Sequence, residues 1–233
     1  MRGDGLVAGA ALALAACGSE QAADAPVQQR SAPSAEPAEA PADVAGREYR
    51  ILAFGDSLFA GYGLQEGESY PARLEAALRQ RGVDARVSNA GVSGDTTAAG
   101  RQRLGFVLDN EEQAPDLAIV ELGGNDLLRG VPPQQTRENL DAILAELDWR
   151  GIPVLLMGMR APPNLGPAYV SAFDSIYPDL AEHYDAALVP FFLESVWNRP
   201  ALVQPDRVHP TAQGIEAMVE ATVDQVDEAL PED

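Results

Sequence analysis

The stretch Phe54–Leu64, FGDSLFAGYGL, follows an apolar run and then turns abruptly polar and rich in glycine. Tyr49–Phe54 has the length and near-continuous apolar character of a strand covered on both faces. The chain thus leaves a buried strand on a loop that carries one serine beside one aspartate. Two readings fit. Either Asp56 or Ser57 caps a helix and the glycines make a turn, or Ser57 is a nucleophile held at the rim of a sheet. The second reading requires a base, an orienting acid and oxyanion donors elsewhere in the chain.

Outward from this stretch, short apolar runs alternate with amphipathic segments from Arg47 onward. Further strands are expected at Ala85–Asn89, Leu117–Leu122, Pro153–Gly158 and Ala187–Val189. The segment YPARLEAALRQRG has Pro71 near a helix start, stacks Leu74 and Leu78 four apart, and stops at Gly82. TRENLDAILAELDWRG places Leu140, Ile143, Leu144 and Leu147 on one face and ends at Gly151, and a last helix from Thr211 to about Leu230 turns Ile215, Met218, Val219 and Val226 inward. Strands alternating with helices imply right-handed crossovers and a parallel sheet. Ligands in such sheets bind beyond the carboxyl ends of the strands, near the switch point. Ser57, Gly91–Gly94 and Gly123–Asn125 each lie just past one of the first three strands. Three polar, glycine-bearing loops therefore converge on one rim.

A serine hydroxyl needs a base to take its proton during attack. Of the two histidines, His183 sits in LAEHYDAA among charged residues and reads as a surface side chain; His209 sits in QPDRVHPTAQG, before a helix that Pro210 can begin. Asp206, three residues earlier, can reach the imidazole Nδ1 if the loop is a compact turn, leaving Nε2 for Ser57; such an acid fixes the tautomer. In NAGVSGDTT, Gly94 lets a backbone N–H approach a ligand closely. In ELGGNDLLRG, Asn125 offers an amide that donates two hydrogen bonds.

FGDSLFAGYGL, NAGVSGDTT, ELGGNDLLRG and DRVHP resemble, in order, the four sequence blocks of the GDSL/SGNH hydrolases, with Ser57, Gly94, Asn125 and His209 at the namesake positions. GESYPARLEAALRQRG, GDTTAAGRQRL and SIYPDLAEHYDAALVPFFLE are similar to the branch of bacterial arylesterases, acyl-CoA thioesterase I and lysophospholipase L1. The resemblance implies a flavodoxin-like three-layer α/β/α sandwich around a parallel five-stranded sheet. It implies Ser57 as nucleophile, His209 as base, Asp206 as its orienting acid, and an oxyanion hole of the Ser57 N–H, the Gly94 N–H and the Asn125 side chain. Asp56 either braces the nucleophile loop or caps a helix, and Leu127 and Leu128 lie in the loop that lines the acyl site of this branch. The chain lacks the G-x-S-x-G elbow of the α/β-hydrolases.

The expected chemistry is two-step acyl transfer from a small-molecule or lipid ester to water, with neither metal nor organic cofactor. A carbohydrate or peptidoglycan O-acetylesterase is an alternative enzymatic reading, and a non-catalytic lipid-binding surface lipoprotein is a reading from another functional class. The complete serine, glycine, asparagine, aspartate and histidine set speaks against the latter.

Composition agrees. The 233 residues, 46% hydrophobic, suit one globular domain with an appendage; one cysteine excludes an intrachain disulfide. The formal net charge of -20 excludes a nucleic-acid partner, whose phosphates demand a basic surface. Leu6–Ala16 is an apolar run too short to span a bilayer and ends in LAACG. It resembles a bacterial lipoprotein signal with Cys17 as the lipidated residue, so residues 1–17 are expected to be a leader. Residues 18–46, rich in Ala, Pro, Ser, Gln and Glu, read as a disordered tether, and 47–233 as the hydrolase domain. These expectations place the protein outside the cytoplasm, on the periplasmic face of a membrane and held only through Cys17. Gly18, where a retention aspartate would stand, favours the outer membrane.

Overall fold

The computed structural model describes residues 46–232; the expectations for residues 1–45, Cys17 among them, lie outside these. Five parallel strands, β1 (Tyr49–Gly55), β2 (Ala85–Gly91), β3 (Leu117–Glu121), β4 (Val154–Met157) and β5 (Ala187–Val189), run in the order β2-β1-β3-β4-β5. This is the flavodoxin order, with its switch point between β1 and β3. Every residue of β3 and β4 is buried, which is why their sequences, Glu121 apart, are continuous apolar runs rather than alternating ones. The edge strand β2 is half exposed and reads ARVSNAG.

The helices are α1 (Ser57–Ala60), α2 (Tyr70–Gln80), α3 (Thr97–Asn110), α4 (Gly124–Arg129), α5 (Pro133–Trp149), α6 (Pro167–Asp174), α7 (Ile176–His183) and α8 (Ala212–Glu228). Helices α2 and α8 pack together, stapled by the buried Tyr70–Thr222 hydroxyl pair at 2.7 Å and by the Arg73–Glu216 and Arg81–Asp224 ion pairs. Helices α3, α5 and α7 form a second packed group. The expected helix face of Leu140, Ile143, Leu144 and Leu147 is wholly buried. His183, the last residue of α7, is exposed as expected.

Several boundaries differ from the sequence reading: β1 runs on to Gly55, β2 runs on to Gly91, and β4 is confined to Val154–Met157. Strand β3 stops at Glu121, one residue short of the apolar run. Pro210 does not begin the last helix: it forms an isolated antiparallel bridge with Val203, and Thr211 is the cap, its hydroxyl accepting from the Gly214 N–H at 3.1 Å. A threonine Oγ satisfies a free N–H of the first turn, a role proline lacks the side chain for.

The register sets the site. Gly55 pairs with Gly91 on one side and Glu121 on the other, so three strand ends lie abreast and release their loops together. The loop after β1 is anchored by Phe59, fully buried, whose ring stacks on Tyr70 at 5.3 Å and meets Phe192 edge-on at 5.7 Å. Truncating such a ring to Ala costs about 3–5 kcal/mol. Ser57 therefore stands on a helical turn nailed to the core.

Candidate active site

Asp56 is the N-cap of α1 and only 2% exposed. Its Oδ1 accepts from the Leu58 N–H at 3.0 Å and its Oδ2 from Asn125 Nδ2 at 2.9 Å. The two readings of Asp56, cap and brace, are both realised, one on each oxygen. Ser57 opens α1, so its own N–H has no intrahelical acceptor.

Ser57 Oγ lies 2.9 Å from His209 Nε2, and His209 Nδ1 lies 2.7 Å from Asp206 Oδ2. The compact turn anticipated for DRVHP exists: Asp206 Oδ1 accepts from the N–H groups of Val208 and His209, at 2.9 and 3.1 Å. Burial alone would raise the Asp206 carboxyl. The His209 ring and the two N–H donors outweigh it and bring the group down to about 2. An ionised Asp206 favours the proton on Nδ1, which leaves Nε2 as the acceptor for the serine proton.

Gln204 latches the histidine loop to the serine loop. Its Nε2 donates to the Tyr62 and Pro210 carbonyls, both at 2.8 Å, and its N–H donates to His209 O at 2.7 Å. The Tyr62 ring lies 4.4 Å from the imidazole, tilted by 33°. Neither residue carries a sequence signal of its own, since both matter only through long-range contact.

Gly94 has φ of 87°, the left-handed region that favours glycine, and its carbonyl accepts from Arg129 at 2.7 Å. Asn125 lies two residues past Gly123, whose φ is 114° and where an added Cβ would run into the Tyr177 hydroxyl; that hydroxyl donates to Leu122 O at 2.9 Å. Asp126, buried next door, accepts from the Thr97 N–H at 2.8 Å, the Thr97 hydroxyl at 2.5 Å and the Thr136 hydroxyl at 3.2 Å, which locks α4 to α3 and α5. With one Asn125 amide hydrogen on Asp56, the other is free to serve the cleft.

Glu121, the last residue of β3, is fully buried behind this array. Its Oε2 accepts from the Asp56 N–H at 3.2 Å and its Oε1 has no hydrogen-bond partner. Burial first, and the neighbouring Asp56 charge second, push its carboxyl well above the ordinary range; burial likewise raises Asp56. The site beneath the loop thus favours the protonated form of Glu121. A charged residue closing an otherwise apolar strand was its only trace in the sequence.

The cleft above Ser57 encloses about 930 Å³ and is lined by Gly94, Asn125, Leu127, Leu128 and His209 among others. Leu127 packs against the core, whereas Leu128 is 67% exposed. Among the described residues there is no group of side chains fit to hold a metal ion.

A doubly wound parallel sheet that sets a serine, a histidine and an aspartate in line beyond its first strand defines a serine hydrolase of the α/β/α class. Residues 53–217 match the GDSL-like Lipase/Acylhydrolase family, and the chain belongs to it. An arylesterase of Vibrio mimicus is 44% identical over 161 residues, 69% of this chain and 80% of its own. The thioesterase 1/protease 1/lysophospholipase L1 of Escherichia coli K12 is 42% identical over 160 residues, 69% of this chain and 74% of its own. Among solved structures, the SGNH-hydrolase family esterase AlinE4 is 66% identical, with a TM-score of 0.68 over 80% of this chain and 99% of its own.

Proposed function

We propose that the protein hydrolyses carboxylic esters through an acyl-enzyme on Ser57. The observation that carries this is the continuous line from Ser57 Oγ through the His209 ring to Asp206, with contacts of 2.9 and 2.7 Å. His209 Nε2 takes the serine proton as Oγ attacks the ester carbonyl. The Ser57 and Gly94 N–H groups and the free Asn125 amide hydrogen stabilise the developing oxyanion; losing one such donor costs about 10²–10³ in rate. The protonated imidazole then returns its proton to the departing alcohol. A water, deprotonated by the same nitrogen, attacks the acyl carbonyl, and collapse of the second intermediate frees the acid and the serine.

The relatives' names, arylesterase and thioesterase/lysophospholipase, support an ester of an aromatic or lipid alcohol as substrate. The breadth of the cleft and its apolar lining, Leu127 and Leu128 included, favour medium or long acyl chains over acetyl, and so an esterase over an O-acetylesterase. Export and acylation of Cys17 are part of the proposal, supported by the LAACG sequence and by the length of the apolar run before it; mass spectrometry of the mature protein should find the acyl groups on Cys17, and an unmodified N-terminus elsewhere rejects them.

Ser57→Ala tests the chemistry. It should abolish turnover of a p-nitrophenyl ester and labelling by a fluorophosphonate while leaving the unfolding transition in place. Retained turnover rejects Ser57 as nucleophile.

A further inference from the structure

All 16 basic side chains of this chain are arginines, set against 36 acidic ones, so an arginine placed at random should find a carboxylate. Most do: Arg47, Arg73, Arg81, Arg137 and Arg150 each end on Asp or Glu. Five of the described arginines do not: Arg101 bonds Asn139 and Arg129 the Gly94 carbonyl, whereas Arg160, Arg199 and Arg207 are exposed and line the cleft above Ser57. The one carboxylate in that lining, Asp56, is buried and already bonded to Leu58 and Asn125. The mouth of the site thus reverses the charge balance of the rest of the molecule.

The three are placed rather than scattered. The Arg160 guanidinium lies 5.3 Å from the centre of the Phe191 ring, and that ring meets Trp197 edge-on at 5.6 Å, so the cation rests on an aromatic shelf. Arg199 follows Asn198, and Arg207 lies inside the Asp206–His209 turn; Asn198 and Arg207 hold φ of 59° and 63°, a conformation L side chains rarely adopt. Arg207 N–H donates to Gln204 O at 2.9 Å, which closes the turn that leads into it.

Chemistry decides which half of the substrate they face. The His209 nitrogen that hands its proton to the leaving oxygen must have the alcohol on its own side, and Arg199 and Arg207 belong to the segment that carries His209. We propose that Arg160, Arg199 and Arg207 form a subsite for an anionic group, phosphate or carboxylate, on the alcohol half of the ester. Guanidinium groups suit both, since their donors match two oxygens at once. The inference rests on the ester-hydrolase reading and adds to it the charge of the leaving alcohol.

The test compares two nearly isosteric esters, para-carboxyphenyl hexanoate and para-carbamoylphenyl hexanoate, by the ratio of their kcat/KM values. In the wild type this ratio should fall as NaCl is raised, because exposed charge pairs are screened. R160Q, R199Q and R207Q should each lower it by about two- to fivefold at low salt, as expected for exposed charge pairs, and the triple variant by more. R101Q, on α3 and bonded only to Asn139, should leave the ratio where it is. A parallel pair, lysophosphatidylglycerol and monoacylglycerol in neutral detergent, identifies the source of the anion: a drop here assigns a lipid headgroup, and a drop only with the aryl pair assigns a small alcohol. A ratio unchanged by the triple variant in both pairs overturns the subsite. So does an arginine dependence that appears only on anionic vesicles, which would make these residues a surface-docking patch. Wild-type inertness towards the carbamoyl ester would instead overturn the hydrolase reading, and this inference with it.

Discussion

Asn125 Nδ2 donates to Asp56 Oδ2 at 2.9 Å, which ties the loop after β3 to the loop after β1 across the switch point of the sheet. The bond spends one of the two amide hydrogens of Asn125 and thereby aims the other. Asp56→Asn keeps the size but leaves one acceptor oxygen for two donors, the Leu58 N–H and the Asn125 amide. Steady-state kinetics should show kcat lowered by up to about 10²–10³-fold, the range for losing one aimed oxyanion donor. Urea unfolding should show a loss of about 1–3 kcal/mol for the buried donor left unpaired. A kcat within twofold of wild type would show that Asn125 is held by other means.

Asp206 orients the imidazole and stays ionised far into acid. Asp206→Asn should lower kcat by as much as about 10⁴, because an amide accepts poorly from Nδ1–H and can favour the wrong tautomer. Its folded-state value of about 2 lies below the ordinary 3.8. The carboxylate therefore contributes stability that is present above about pH 4 and is lost as pH falls through about 2. Urea midpoints of wild type and variant should draw together over that window and keep a constant offset above it. The exposure of the group keeps the offset small. A difference that persists unchanged into strong acid would contradict the ion pair.

The fold was legible because its cause is periodic. Fully covered parallel strands are apolar almost throughout, and the helices that cover them must carry apolar faces three and four apart, so the Leu117–Val120 run and the Leu140–Leu147 face announce themselves. Ser57, Gly94, Asn125, Asp206 and His209 were legible for a different reason: each sits in a glycine- or aspartate-bearing turn beyond an element end, where the rim of the sheet had to be. Gln204, Tyr62 and Glu121 were not. Gln204 acts on Tyr62 across 142 positions of chain, and Glu121 acts through the register that sets it beside Gly55; no local pattern encodes either. Pro210 was misplaced because its fixed φ suits a helix start as well as the short bridge it makes with Val203.

The buried Glu121 makes stability depend on pH in the opposite sense to Asp206. Its folded-state value is raised above the ordinary 4.5 by burial and then by the Asp56 charge. The fold therefore holds that proton more tightly than the unfolded chain does. This contribution is full below about pH 4.5 and is lost as pH rises through the raised value, at a slope of about 1.4 kcal/mol per pH unit for one proton. Glu121→Gln is neutral at every pH and removes the slope. In urea unfolding the variant should gain on the wild type as pH rises above the ordinary value of 4.5. If the two proteins keep a constant difference over that range, Glu121 does not titrate between the folded and unfolded states.

Leu127 and Leu128 are adjacent on α4 and both line the cleft, yet they predict different experiments. Leu127 also packs on the core, so its truncation mixes stability with specificity. Leu128, 67% exposed, holds nothing in place in the folded chain. Leu128→Ala should leave the unfolding free energy within about 0.5 kcal/mol of wild type, as for surface positions generally. Its effect should appear only where an acyl chain is long enough to lie against it. Each methylene withdrawn from water is worth about 0.8 kcal/mol, so losing one or two such contacts lowers kcat/KM by roughly 4- to 15-fold. A series of p-nitrophenyl esters from acetyl to palmitoyl reads this directly: the loss should be small for acetyl, grow with chain length and then level off once the chain passes the side chain. An equal loss at every length would mean that Leu128 shapes the catalytic loop and not the acyl site.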